Sequence, residues 1–336
     1  MNSLRFGIIG CGKIAPRHAA EAAKHGKLIA VCDIERDRAD RLAAAYNARA
    51  YYDIEEVFEN EDLDVVAICT PNGLHAQHSI IALNAGVHVL CEKPLSISTN
   101  DARSMMEAAK SSGKNLFVVK STRYNPALDA LKSHLDSGEL GRLYSFQLNC
   151  FWNRPSEYYA GSWKGDAKLD GGTLYTQFSH YIDAMLWLFG EVKELSGFRK
   201  NLAHENDIDF EDSGVVSLEM ASGAIGGLNW SVNAYKKNME VSLTVIAEKA
   251  TIEIGGEYMN HLKYQSNGGF TLPEVNPGSA NDYGYYQGSM SNHDKVYENM
   301  IRAMDDPSHP FTSAQDGLRT VELIERIYNR LTFGKN

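Results

Sequence analysis

The N-terminal segment limits the possible folds more than any other stretch. Leu4–Ile9 is a short apolar run, Gly10-Cys11-Gly12-Lys13-Ile14-Ala15 follows, and a helical pattern then continues to about residue 24. That is strand, glycine turn, helix. Gly10 allows a tight turn, Gly12 lets a pyrophosphate approach the backbone, and Ala15 is small enough for close helix–strand packing. A second apolar run, 28–32, ends at Asp33, about twenty residues after Gly10. An acid at that spacing accepts hydrogen bonds from an adenosine ribose and repels a 2′-phosphate, which favours NAD over NADP. Arg36 and Arg38 lie close by and work against that preference; a helix cap is the plainer reading of Asp33.

The alternation continues. Residues 36–46, 75–85 and 100–111 read as helices, and 64–69, 87–90 and 116–119 as strands; Asp53 caps a short helix through residue 58. Strands alternating with helices predict a parallel sheet covered on both faces. In such sheets ligands sit off the carboxyl ends of the strands. Gly10, Asp33, Thr70-Pro71-Asn72 with His75 behind it, Lys93 and Lys120 all fall at such ends. The stretch Cys91-Glu92-Lys93-Pro94-Leu95 carries the most chemistry. Proline fixes the chain after Lys93, whose ammonium can share a substrate proton or steady a developing alkoxide. A surface turn is the bland reading of the same residues.

After Lys120 the pattern changes. Ser121-Thr122-Arg123-Tyr124-Asn125-Pro126 is a connector, and a helix runs to about residue 135. In 142–152 the residues Tyr144, Phe146, Leu148, Cys150 and Trp152 alternate onto one face, as in a half-buried strand. Strands at 215–220, 224–232, 241–247 and 251–254 follow at turn-length spacing and predict an antiparallel meander. One long helix, 173–189, carries an apolar stripe and a polar one, Thr173, Thr176, Gln177, His180 and Asp183. Thr, Gln and His in place of Lys and Glu suggest a lined cleft. Residues 255–290 lack periodicity and read as a long loop, either a substrate loop or a surface excursion. Helices at 293–304 and 313–331 close the chain, the second with Leu318, Val321, Ile324, Ile327 and Leu331 on one face.

The expected architecture is therefore α/β: an N-terminal Rossmann parallel sheet over 1–122, then an α+β domain with an open, mostly antiparallel sheet over 123–336. The C-terminal helix is expected to be able to pack back on the first domain. A formal charge of −10 argues against nucleic acid and an anionic membrane surface as partners. No apolar run approaches the ~20 residues of a membrane span. The five cysteines form no CxxC pair and read as free thiols in a reducing compartment, so no metal framework and a cytoplasmic location are expected.

GIIGCGKIA with Asp33, Thr70-Pro71-Asn72 with His75, Glu92-Lys93-Pro94, and Gly171-Gly172 ahead of His180 and Asp183 together resemble the glucose–fructose oxidoreductase / inositol dehydrogenase / rhizopine-catabolism family. The resemblance covers the whole chain. It implies a nicotinamide cofactor, NAD, between two domains, and a Lys93–Pro94 peptide that can be cis. It assigns Gly10, Gly12, Lys13, Ile14, Asp33, Thr70, Pro71, Asn72, His75, Glu92 and Lys93 to the cofactor. Lys93 and His180 fall to catalysis, with either as the base. Many members place an aspartate four residues before the histidine; here that residue is Thr176.

A narrower resemblance is to bacterial sugar-nucleotide dehydrogenases that oxidise C3 of UDP-N-acetylglucosaminuronic acid for O-antigen synthesis. It rests on Arg154 with Tyr158-Tyr159, Ser162-Trp163-Lys164-Gly165, Thr176-Gln177 beside His180, and Ser289-Met290-Ser291-Asn292-His293. Lys120, Arg123, Asn125, Arg154, Tyr158, Trp163, Lys164, Gln177, His180 and His293 are the expected contacts of an anionic sugar nucleotide. A polyol or other sugar dehydrogenase and a non-catalytic NAD-binding sensor are the alternatives. A dimer or tetramer would cover the open face of the second sheet.

Overall fold

The structure, a computed structural model, describes residues 3–273, 292–306, 308–309 and 311–335. They form two compact units, Met1–Lys120 with His293–Glu322, and Ser121–Asn292 with Leu323–Asn336. A single cut near residue 122 therefore does not divide the chain, because His293–Glu322 returns to the first unit.

In the first unit the strands are β1 (Leu4–Ile9), β2 (Gly26–Cys32), β3 (Arg49–Tyr51), β4 (Val65–Ile68), β5 (His88–Cys91) and β6 (Leu116–Val118). Helices α1 (Ala15–His25), α2 (Arg36–Tyr46), α3 (Ile54–Asn60), α4 (His75–Asn84) and α5 (Thr99–Ser112) alternate with them. All pairings are parallel, in the order β3-β2-β1-β4-β5-β6. Ile8, Val66, Ile68, Val89 and Val118 are fully buried, as a sheet covered on both faces requires. Local chemistry sets the helix starts. Asp53 accepts the Glu55 N–H at 2.9 Å, and Ser98 accepts the Asp101 N–H at 3.2 Å. The strand order reverses between β1 and β4, the switch point at which open sheets of this kind bind ligands.

In the second unit α6 (Pro126–Asp136), β7 (Leu143–Phe151), α7 (Ser156–Tyr159) and α8 (Ser179–Phe189) come first. The strands β8 (Val192–Asn201), β9 (Ser213–Met220), β10 (Ile225–Ser231), β11 (Glu240–Ala247), β12 (Ala250–Gly255) and β13 (His261–Asn267) follow. With β14 (Phe333–Lys335) they form one sheet, β13-β12-β11-β7-β10-β9-β8-β14. Pairing is antiparallel except for β7 with β10 and β8 with β14, so the sheet is mixed and mostly antiparallel. The core includes buried Leu228 and Trp230 of the sheet and Ile182 of α8; Phe146 stacks on Phe189, and Trp152, just after β7, packs on Phe178 and Tyr181.

Three differences from the sequence reading matter. The inner row of β7 begins at Phe146; Tyr144, at the strand's start, is 48% exposed. The helix expected over 173–189 is two pieces, a π turn over Leu174–Phe178 and then α8. Strands β8, β13 and β14 stand at or next to the sheet's edges and so lack the burial that gives alternation. Of the loop expected over 255–290, His261–Asn267 is β13, and 274–290 lie outside the described residues.

The returning segment explains the division of the chain. In α9 (His293–Asp305) Tyr297 packs on Phe6 of β1 and His18 of α1. Phe311 lies edge-on to Phe117 at 4.4 Å, Thr312 donates to the Val118 carbonyl at 2.8 Å, and Ser313 bridges Phe117. This covers the edge of the sheet at β6. The last helix, α10 (Ala314–Arg330), contributes residues to both units, and its expected apolar stripe is buried from Leu318 to Ile327, with Leu331 buried just beyond it.

Candidate active site

The glycine turn follows β1. Gly10 has φ +94°, and a Cβ there would lie 2.7 Å from the carbonyl of Cys69, which follows β4. The close approach of the two strand ends thus needs glycine. At Gly12 a Cβ would meet nothing within 4 Å. Helix α1 then begins with no capping side chain and no acid in its first turn. Its positive end and this open cradle fit a dinucleotide pyrophosphate. Asp33 accepts the Cys11 N–H at 2.7 Å and the Glu35 N–H at 2.8 Å, which fixes its carboxylate beside the turn. Each oxygen keeps a second lone pair for a ribose hydroxyl. Arg36 stacks on Tyr52 at 3.9 Å. Ile34, which the sequence reading passed over, is 86% exposed and offers an apolar face beside Asp33. Its only signal in the sequence is its position after the acid.

Thr70, Lys93 and the loops that carry them are joined by His75. Its ring nitrogens contact the Pro94 carbonyl at 2.7 Å and the Thr70 carbonyl at 2.9 Å, and the Lys93–Pro94 peptide is cis. His75 is buried, and these two contacts make it a clamp between two strand ends. Glu92, also expected at the cofactor, accepts His18 Nε2 at 2.9 Å, His293 Nε2 at 3.1 Å and the Lys93 backbone N–H at 3.0 Å. Burial pushes its carboxyl up, but the two histidines outweigh that and hold it well below the usual carboxylate range. His293, expected at the substrate, is thus placed against Glu92. Lys120 is buried with its ammonium on the Thr320 hydroxyl at 3.1 Å.

The second unit gathers five of the expected substrate residues. Arg154, 3% exposed, lies over the rings of Trp152 (4.8 Å) and Tyr158 (5.2 Å), and bonds the Asn238 side chain at 3.1 Å. Lys164 Nζ lies 4.3 Å from the Tyr158 ring and 5.7 Å from that of Trp163. Gln177 donates to the Tyr158 hydroxyl at 3.1 Å. Two cations and two amphipathic rings, from the segment before α7, α7 itself and the loop after it, therefore share one cluster with Gln177 of the π turn. Arg123 and Asn125 have partners of their own. Arg123 makes a two-pronged bond to Asp183, 2.8 Å on each arm, and Asn125 caps α6 while donating to the Met259 carbonyl. Both side chains thus anchor helices.

The polar stripe is buried except at half-buried Thr176, and four of its members have separate partners. Thr173 donates to the Glu211 carbonyl, Thr176 bonds the Asp170 carboxylate, Gln177 holds Tyr158, and Asp183 holds Arg123. His180 is buried at the start of α8, one turn after Thr176. Asp170 also accepts the Gly165 and Gly172 N–H groups, at 3.0 and 3.4 Å. Burial nevertheless raises its carboxyl to about 6. An acid that titrates near neutrality thus reaches Thr176, the position where an aspartate was expected. A π turn at such a place is common at functional sites, because it shifts side chains off the α-helical register.

Comparison with known proteins supplies the family. Residues 4–120 match the model described as an oxidoreductase family with an NAD-binding Rossmann fold, and residues 128–253 match the GFO/IDH/MocA C-terminal domain. The WlbA dehydrogenase of Bordetella pertussis, solved with NADH and UDP-GlcNAcA, is 32% identical at a TM-score of 0.87, covering 98% of this chain and 96% of that one. The Chromobacterium violaceum WlbA dehydrogenase, solved with the same two ligands, is 34% identical at 0.87, covering 98% and 94%. Inositol 2-dehydrogenase of Salmonella typhimurium is 31% identical over 195 residues, 56% of this chain and 55% of that protein. The chain spans about half the length of the first curated relatives it matches. Matches to both domain models, and solved relatives above 30% identity over nearly the whole length, make this chain a member of the GFO/IDH/MocA oxidoreductase family, with an NAD-binding Rossmann fold in its first unit.

Proposed function

We propose that this protein uses NAD to oxidise a secondary hydroxyl of an anionic sugar nucleotide to a ketone, with C3 of UDP-N-acetylglucosaminuronic acid as the first candidate. The observation that carries the reading is the Arg154–Tyr158–Trp163–Lys164–Gln177 cluster. A uronate and a diphosphate need cations, and arginine suits a carboxylate in particular. A neutral polyol needs neither. The two WlbA structures, solved with UDP-GlcNAcA, support the same choice.

In this reading NAD, held at the Gly10–Gly12 turn and Asp33, supplies the hydride acceptor. His180 takes the hydroxyl proton, and Lys93 donates a hydrogen bond to the same oxygen as its charge grows. Thr176 stands four residues before His180 and bonds the Asp170 carboxylate, which would give the released proton a further acceptor.

The test is NADH formation across UDP-N-acetylglucosaminuronic acid, UDP-N-acetylglucosamine and myo-inositol. The expected order puts the uronate first. Arg154→Ala should lower kcat/KM on the uronate by ~100-fold or more, the worth of a buried charge-assisted contact. Equal turnover of myo-inositol, or an Arg154→Ala variant as active as the parent, would refute the reading.

A further inference from the structure

Beneath the lysine lies a buried polar cluster that the proposed chemistry does not use: His18, Glu92, His293 and Tyr297. His18 comes from α1 and His293 opens α9, 74 and 201 residues from Glu92 in the chain. Both imidazoles meet the same carboxylate oxygen, Oε1. The other oxygen accepts the backbone N–H of Lys93 at 3.0 Å. We propose that His18 and His293 are positioning residues for Lys93: their two N–H groups lock the Glu92 carboxylate, and that carboxylate fixes the peptide that carries the amine. The proposal rests on the reading that Lys93 serves the reacting hydroxyl.

The hydrogen-bond directions agree with one another. A carboxylate only accepts, so each imidazole must present a proton on Nε2. For His18 the other nitrogen, Nδ1, lies 3.0 Å from the Tyr297 hydroxyl. Burial pushes the Tyr297 phenol well up, so it stays protonated and donates to Nδ1. That leaves the His18 proton on Nε2, where Glu92 needs it. The chain of donors runs Tyr297 to His18 to Glu92, and His293 joins from the other side. Each hydrogen bond has one donor and one acceptor, with Glu92 as the single anion at the centre.

The three groups are close enough to raise the question of a metal ion. Their spacing favours hydrogen bonds. With bonds of about 2.0 Å, a tetrahedral zinc site separates its ligand atoms by about 3.3 Å, whereas both nitrogens here lie within 3.1 Å of Oε1. Simple space filling is also a poor account. Apolar side chains would fill the same volume without burying a charge. What the ionic cluster adds is direction, since it aims one carboxylate oxygen at one backbone amide. On the far side His75 clamps the Pro94 carbonyl at 2.7 Å. The residue that carries the amine is thus gripped from both sides.

The experiment compares His18→Leu and His293→Leu with His18→Gln and His293→Gln, since a glutamine amide can replace an Nε2–H donor. Lysines are methylated reductively with ¹³C, and the Lys93 resonance is identified by its loss in Lys93→Met. The leucine variants should shift or broaden that resonance, and the glutamine variants should restore it. With UDP-N-acetylglucosaminuronic acid, the leucine variants should lose ~10–100-fold in kcat, as removal of supporting hydrogen bonds typically does, with KM changed by less than about threefold. NAD titration by fluorescence confirms that each variant is folded. A folded leucine variant with an unmoved Lys93 resonance overturns the proposal, and so does a stoichiometric transition metal lost with either histidine. If the parent turns over no sugar nucleotide, the substrate reading fails, while the resonance, which needs no substrate, still decides the role of the histidines.

Discussion

Gly10 and Gly12 show how one absent methyl group serves two ends. At Gly10 the backbone is left-handed and the neighbouring strand end occupies the space. Gly10→Ala should therefore cost about 2 kcal/mol or more in stability, from backbone strain and a clash with Cys69. At Gly12 the space is open. Gly12→Ala should unfold like the parent protein yet bind NAD ~10-fold or more weakly, because the methyl group lies where the pyrophosphate must approach. Thermal melts and NAD fluorescence titrations separate the two. Parent-like NAD affinity in Gly12→Ala would mean that the cradle is not the phosphate site. Asp33 and Lys93 show the same economy: two backbone N–H groups hold the Asp33 carboxylate, and the Lys93 backbone N–H is held by the Glu92 carboxylate.

Helix α8 depends on a bond that its own sequence does not announce. Arg123 and Asp183 are 12% and 2% exposed, and their two-pronged bond ties the connector before α6 to the middle of α8. Arg123→Ala should cost about 3–5 kcal/mol, since it leaves a buried carboxylate unpaired. The double variant Arg123→Met with Asp183→Leu should recover most of that loss. Urea denaturation midpoints check both. If Arg123→Ala keeps the parent's midpoint but raises KM for the sugar nucleotide, the arginine serves the substrate. The adjoining π turn has its own support. Tyr328 fills the space where a Cβ of Gly172 would lie and accepts the Leu174 N–H at 3.0 Å.

Across the second unit the buried acids make stability depend on pH with a definite sign. Burial raises Glu211 to about 7 and Asp170 to about 6. Both hold a proton more tightly folded than unfolded. Their contribution is complete below their ordinary carboxyl values and is lost as pH rises through about 6 to 7. His204 acts in the same direction: burial lowers its value, but Asp212 outweighs that and raises it. Asp212 is the opposite case. Burial raises it, but His204 and the Ala203 N–H bring it to about 2, so its contribution is lost only as pH falls toward that value. Between pH 5 and pH 8 the first group prevails, and stability should fall. Glu211 alone accounts for about 2–3 kcal/mol, at 1.36 kcal/mol per pKa unit. Glu211→Gln should flatten the decline by that amount in urea denaturation at the two pH values. An unchanged slope would place the titration elsewhere.

Much of this was legible along the chain. The glycine turn, the acid after β2, the strand ends and the alternation of strands with helices depend on neighbours in sequence, and local geometry preserves them. The covered parallel sheet follows because its central strands are apolar along most of their length. Strands at or next to a sheet edge, such as β13 and β8, were not legible, because half-exposed strands carry no clear alternation. Nor could the sequence assign partners. Arg123 and Asn125 read as substrate contacts, and only the structure shows Asp183 and Met259 as their partners. Glu92 and His293 read as ligand contacts, and only the structure shows each as the other's partner. Sequence by itself determined which chemical groups stand at the strand ends, since covalent spacing settles that. Only tertiary structure decided which of those groups remain for a ligand, because a buried charge must bond whatever packing brings within reach.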